Sequence, residues 1–243
     1  MYTLVDYSSD FVLVNKDPGV GFHGERLQVG LVDAIRQDMG TEELYPVHRL
    51  DKATSGLILL AGSRQRAREL AGQFKSHLVE KYYLAVSDRR PRKKQGSVTG
   101  DMMRARRGAW KLVRSKARPA VTQFFSCSFR DSLRCFVLRP LTGKTHQLRV
   151  ALKSLGSPVL GDPVYYRSSL EGEHVDRCYL HAYAIRFRIG GRLLSYSCNP
   201  HRGELFASSD FLQALARFKR PWSLAWPHIG CGCENSCEAY GAA

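Results

Sequence analysis

The sequence predicts an α+β chain built on a mixed, mainly antiparallel sheet flanked by helices and loops. Three observations carry that expectation. Short apolar or alternating runs outnumber stretches with helical spacing. Most of the runs lie next to one another, joined by brief turns, which is hairpin patterning. At 243 residues and 44% hydrophobic content, the chain is globular and buries one large core or two small ones.

The elements follow in order. Residues 11–14 read as a first strand, and 27–37 as a helix ended before Gly40. Leu57-Ile58-Leu59-Leu60-Ala61 is continuous and apolar and stops at Gly62, as a buried strand does. Ser63 caps a helix running to Leu78, with Ala67, Leu70, Ala71, Phe74 and Leu78 at helical spacing. Residues 81–87 are strand-like, and 120–129 with 135–139 read as an antiparallel pair. Residues 145–155 read as a helix closed by Gly156. The strands at 179–189 and 193–198 flank Gly190-Gly191, a tight-hairpin signal. Residues 209–218 form a last amphipathic helix. There is no internal repeat and no low-complexity segment.

The charge is lopsided. Lys and Arg number 37 against 22 Asp and Glu, a net +15, which points to a polyanionic partner. Residues 88–119 hold 12 of the basic residues and two Asp, a net +10, or two thirds of the excess. Pro91, Gly96, Gly100 and Gly108 punctuate this segment, which reads as a loop or exposed hairpin suited to tracking a phosphate backbone. Arg104, Arg106 and Arg107 are its candidate backbone contacts. Trp110 either stacks on a base or anchors the hairpin to the core.

No stretch approaches the roughly 20 apolar residues that span a bilayer. Residues 1–10 have neither the basic nor the apolar region of a secretory signal, so a cytoplasmic chain with no membrane partner is expected. Seven cysteines cannot all pair internally. Cys127, Cys135, Cys178 and Cys198 sit in apolar, strand-like contexts and read as buried reduced thiols. His228, Cys231, Cys233 and Cys237 offer a four-ligand zinc set, but the stretch is rich in Gly and Ala and lacks paired C-x-x-C knuckles. An incidental tail is the expectation there, with no metal.

The most informative segment is His48-Arg49-Leu50-Asp51-Lys52-Ala53-Thr54-Ser55-Gly56. Residues two apart in an extended chain point to one side, so Arg49 and Asp51 are expected to face one cleft, with His48 and Leu50 turned away. Taken alone, such an Asp is most often a solvated loop carboxylate. The nonapeptide, however, resembles the H-R-L-D-x-x-T-S-G signature of RluA-type pseudouridine synthases. Three more segments resemble the same family in the same order: Asn15 to His23, Glu80 to Ala85 and Leu141 to Arg149. Asp17 replaces a usual proline in the first, and Lys144 a usual arginine in the last. Gly161-Asp162-Pro163-Val164-Tyr165 and Leu180-His181-Ala182 match later landmarks, so the resemblance covers about residues 10–200.

The resemblance implies a single catalytic domain over residues 1–220 on a long bent sheet, then a tail over 221–243. The first motif begins at Asn15, so no S4-type RNA-binding domain is expected ahead of it. The implied reaction isomerises uridine to pseudouridine in a structured RNA, tRNA or ribosomal RNA, by base flipping, with no cofactor and as a monomer. By resemblance Asp51 is the essential carboxylate, Arg149 its partner, and Tyr83 the aromatic face for the extruded uracil and a hydroxyl for proton transfer. Arg49 takes part in base flipping or grips the backbone. His48 is placed with Arg49 at the RNA, though it and Thr54 also read as supports. His146 and Gln147 are expected to hold the helix entry. Three roles stay open to Asp51: attack on C1′ of the ribose, attack on C6 of the uracil, or removal of a proton from C2′.

Two other classes compete. A non-catalytic RNA-binding module on the same fold has no use for a carboxylate aimed at RNA. A metal-dependent nuclease wants clustered carboxylates, and acidic residues are sparse near the motifs.

Overall fold

The computed structural model describes residues 1–22, 24, 29–167, 175–227 and 229. Eleven strands among them form one sheet. They are β1 (Tyr2–Tyr7), β2 (Phe11–Lys16), β3 (Tyr45–Pro46), β4 (Ser55–Ala61), β5 (Glu80–Ser87), β6 (Gln95–Arg104), β7 (Trp110–Val113), β8 (Ala120–Arg130), β9 (Leu133–Pro140), β10 (Leu180–Ile189) and β11 (Arg192–Ser197). The main order is β1-β2-β4-β10-β5-β9-β8-β6-β7, with β11 on β10 and β3 on β4. β4 and β10 run parallel over His181↔Ser55 and Ala182↔Gly56, and every other pairing is antiparallel. The mixed, mainly antiparallel sheet is thus as expected.

The helices are α1 (Leu31–Met39), α2 (Arg64–Lys75), α3 (Gln147–Ser154), α4 (Glu204–Ala207) and α5 (Ser209–Ala216). Ser63 caps α2 by accepting the Arg66 amide at 3.2 Å, as expected. α1 begins at Leu31 rather than 27, because Gly30 is extended, and it ends at Gly40 with φ 63°. The Gly190-Gly191 turn has φ 55° and 78°, the two positive values of a type I′ hairpin.

β4 is buried along its whole length and lies between β2 and β10. Its Gly56 has φ 113°, and a Cβ there would lie 2.3 Å from the Ala182 carbonyl oxygen. No other residue type allows β4 and β10 to approach so closely. The basic segment is a real hairpin, β6–β7, turned by the 3₁₀ residues Arg106–Gly108 with Arg107 at φ 56°. The first part of the expected tail packs on the domain. Trp226 stacks at 5.8 Å on Tyr82 and lies 5.1 Å from Phe125, and Gln123 donates to the Pro227 carbonyl at 2.6 Å. Cys127 and Cys135 face each other across β8–β9, and the four cysteines at 127, 135, 178 and 198 are free thiols, of which Cys127 and Cys198 are only half-buried. The candidate zinc ligands His228, Cys231, Cys233 and Cys237 lie outside the described residues.

Candidate active site

A cleft of about 550 Å³ opens between the turn that leads into β4, strand β5 and the start of α3. Asp51, Tyr83 and Arg149 all line it, together with His48, Arg49 and His146. The three residues expected to do chemistry therefore meet, although 98 positions separate Asp51 from Arg149.

Asp51 stands in a turn in which its own carbonyl accepts the Thr54 amide at 3.0 Å. Its side chain is 26% exposed, enough to meet a substrate. Arg149 Nη1 donates to Asp51 Oδ2 at 3.1 Å. The guanidinium is itself gripped from behind. Nε and Nη2 donate to the two oxygens of Asp162 at 2.6 and 2.8 Å, a bidentate pair that fixes the plane of the fork. Asp162 is fully buried and also accepts the amides of Val164 and Tyr165. Burial opposes the charge on Arg149, but the Asp162 and Asp51 carboxylates outweigh it, so its pKa lies above the ordinary arginine value.

A buried lysine and a half-buried histidine staple the turn. Lys16 Nζ donates to the carbonyls of Asp17, Val20 and Lys52 at 2.9, 3.0 and 3.2 Å, using all three of its protons. Burial, then Arg177, lowers its pKa to about 8. On the other side His48 Nε2 accepts the Leu59 amide of β4 at 2.8 Å, and its ring stacks on Phe74 at 4.6 Å. Burial and the nearby Lys81 push His48 down to about 3, so it stays neutral. The chain around Asp51 is a turn rather than an extended strand. Leu50 is nonetheless buried and Arg49 exposed, as the alternation predicts. His48, expected both at the RNA and as a support, lines the cleft with Nε2 and a ring face engaged by Leu59 and Phe74.

Tyr83 stands on β5 beside Asp51. Burial, then the Asp51 charge, raises its hydroxyl pKa and keeps it protonated. Gln147 holds the helix entry: it accepts from Thr142 Oγ1 and the Lys144 amide and donates to Val121 and Thr122 of β8. His146 does more than the expected support. Its left-handed backbone, φ 57°, turns the chain into α3, and Nε2 lies 3.9 Å from Asp51 Oδ2. Burial and Arg149 lower its pKa against the opposing pull of Asp51. Arg104, Arg106 and Arg107 are exposed at the hairpin tip, outside the cleft lining. Trp110 carries Arg104 over its ring at 5.7 Å, and its amide anchors the hairpin to Tyr165.

Among the described residues lining the cleft, Asp51 is the sole carboxylate. No cluster of three metal-ligating side chains occurs among the described residues, and none of their helices is long and apolar enough to cross a membrane. The sequence reading missed Asp162 and Lys16 as site residues. The G-D-P-V-Y and N-K segments were their only signals, and neither spells out a partner.

The family model for RNA pseudouridylate synthase matches residues 10–154. The chain belongs to that family. An uncharacterized RNA pseudouridine synthase of Haemophilus influenzae is 45% identical over 207 residues, covering 85% of this chain and 91% of the relative. The dual-specificity RNA pseudouridine synthase RluA of Pasteurella multocida is 32% identical over 205 residues, covering 81% and 92%. The solved structure of human RNA pseudouridylate synthase domain containing 1 superposes with a TM-score of 0.70 at 25% identity, covering 89% of this chain and 95% of that one. The chain is accordingly an isomerase acting on RNA, of the RluA type, and not a binding module that has lost its chemistry.

Proposed function

We propose that this chain converts particular uridines to pseudouridine in a structured RNA, tRNA or ribosomal RNA, with Asp51 as the catalytic carboxylate. The observation that carries this reading is the Asp162–Arg149–Asp51 chain. It holds one ionisable carboxylate, oriented and accessible, in a cleft otherwise lined by neutral and basic groups.

The reaction breaks the N1–C1′ bond of uridine and joins C1′ to C5 of the same base. The C5 hydrogen leaves to solvent and N1 gains a proton, so nothing is oxidised or reduced. A stacked uridine must first leave its helix, at a cost of a few kcal/mol. Tyr83 offers the wall against which the extruded base stacks. Arg49, exposed at the mouth of the cleft, is placed to fill the vacated stack or to grip the backbone. Arg149 donates to Asp51 and fixes the direction of its lone pairs. The β6–β7 hairpin supplies cations for the phosphate backbone.

The test is tritium release from [5-³H]uridine-labelled tRNA and ribosomal RNA drawn from a strain lacking the gene. Wild type should release tritium without shortening the RNA. Asp51→Asn keeps the shape of the side chain and removes the charge, and turnover should fall by orders of magnitude while RNA binding survives. Turnover of Asp51→Asn at the wild-type rate would sink the assignment.

A further inference from the structure

The cleft contains a cation that the chemistry above leaves unused. Lys81 lies on β5 two residues before Tyr83, so both side chains leave the same face, about 7 Å apart along the strand. Both line the cleft. The Lys81 ammonium sits 5.6 Å from the centroid of the Phe74 ring. Among the described residues neither a carboxylate nor a hydrogen-bond acceptor meets it. Burial alone lowers its pKa, with no acid to offset the loss of water.

It is not isolated. Burial, then Lys81 and Lys144, lowers the pKa of His77, and burial, then Lys81, that of His48, so these basic groups crowd one end of the cleft. His77 holds a left-handed φ of 57° at the end of α2, and Lys144 is exposed at the rim. Asp51 is already taken by Arg149 and does not neutralise them. Withdrawing a charge from water without a partner is costly. The two lysine charges facing one cavity add to that cost. An anion supplied from outside recovers both.

We propose that Lys81, flanked by Lys144 and His77, is the seat of a backbone phosphate next to the flipped uridine. The proposal rests on the RNA-modifying role stated above and adds a site to it. With Tyr83 against the base and Lys81 on the phosphate, two positions of one strand measure the distance from backbone to base. This clamp acts at the target nucleotide, whereas the β6–β7 hairpin acts on flanking RNA.

The test uses the full chain and the same [5-³H]uridine-labelled RNA, with binding measured over a series of salt concentrations. Lys81→Met keeps the unbranched stem against Phe74 and removes the charge. Loss of one phosphate contact should make the log–log salt slope shallower by about 0.7, the value for single strands. Affinity at low salt should fall about tenfold or more, as for a lost charged hydrogen bond. Lys81→Arg should restore the slope. If Lys81→Met does not fold, Lys144→Met at the exposed rim replaces it and should also flatten the slope. A slope equal to wild type in the folded variant overturns the clamp, even where wild type releases tritium normally. Binding with a Lys81-dependent slope but no tritium release from wild type would instead reject the synthase reading and leave an RNA-phosphate site standing.

Discussion

The backbone amide of Trp110 donates to the hydroxyl of Tyr165 at 2.8 Å. That contact ties the basic hairpin to the residues beside the cleft. The same hydroxyl lies 2.9 Å from His146 Nδ1, within hydrogen-bond reach. In the tautomer where the hydroxyl donates to Nδ1, His146 carries its proton on Nε2, the nitrogen 3.9 Å from Asp51 Oδ2. The Tyr165 ring also lies 5.1 Å from the Arg149 guanidinium. Tyr165→Phe keeps the ring and removes the relay. Turnover should drop about tenfold, within the range for a misplaced catalytic group, with RNA affinity changed less than about twofold. An unchanged kcat would mean that the hydroxyl serves only packing.

Asp162 should matter as much as Asp51, although it touches no substrate. Asp162→Asn breaks the bidentate grip and leaves the buried Arg149 with one carboxylate instead of two. Stability should fall by about 3 kcal/mol, the scale for breaking a buried pair. Turnover should fall about 100-fold as Arg149 and Asp51 lose their orientation. Urea unfolding and tritium release read the two effects separately. A loss of stability with normal turnover would confine Asp162 to a structural part.

How much of this was legible in the sequence follows from the range of each interaction. Strand β4, the Ser63 cap and the Gly190-Gly191 hairpin are set by neighbours in the chain, and the sequence patterns announce them. β1 was missed because it is a half-exposed edge strand whose alternation breaks at a bulge between Leu4 and Asp6. The segment holding β6 reads as a loop or exposed hairpin, with no strand bounds, because its glycines look like punctuation. In the fold Gly100 lies where a Cβ would come within 2.5 Å of the Val113 carbonyl oxygen, so the glycine permits close pairing instead of ending it. Asp51, Tyr83 and Arg149 were found through motif resemblance. The grip of Asp162, the relay through Tyr165 and the unpaired Lys81 depend on contacts between elements, and no local pattern encodes them.

The hairpin should govern salt sensitivity. Replacing Arg104, Arg106 and Arg107 with Ala removes three exposed cations from its tip. If each meets a phosphate, the log–log salt slope should lose about 0.7 to 0.9 per contact. Turnover at saturating RNA should change little, because none of the three lines the cleft. An unchanged slope would show the tip to be a solvated projection.

Acid should loosen the fold before ordinary carboxylates titrate. His48 and His181 are each lowered to about 3, chiefly by burial. Both are neutral when folded, yet take up a proton near pH 6.5 when unfolded. The unfolded state therefore binds more protons between these values. The stability they contribute is complete above pH 6.5 and falls as pH drops toward 3, by about 1.4 kcal/mol per pH unit for each. Urea midpoints at pH 7, 6 and 5 should decline accordingly, and His48→Gln should reduce the slope. A flat profile over this window would mean that the two rings are not held neutral.

Lys16 and His48 bolt the turn around Asp51 to opposite sides of the framework before any RNA arrives. A rigid anvil asks the workpiece to bend. The cost of reaching the reactive geometry therefore falls on the nucleic acid, and candidate uridines are ranked by how cheaply their surroundings release them. Bulged, mismatched or loop uridines stand at the head of that ranking. Selectivity should then be as much a property of RNA folding as of protein recognition, and a change in the RNA far from any protein contact should shift the yield of modification at its target.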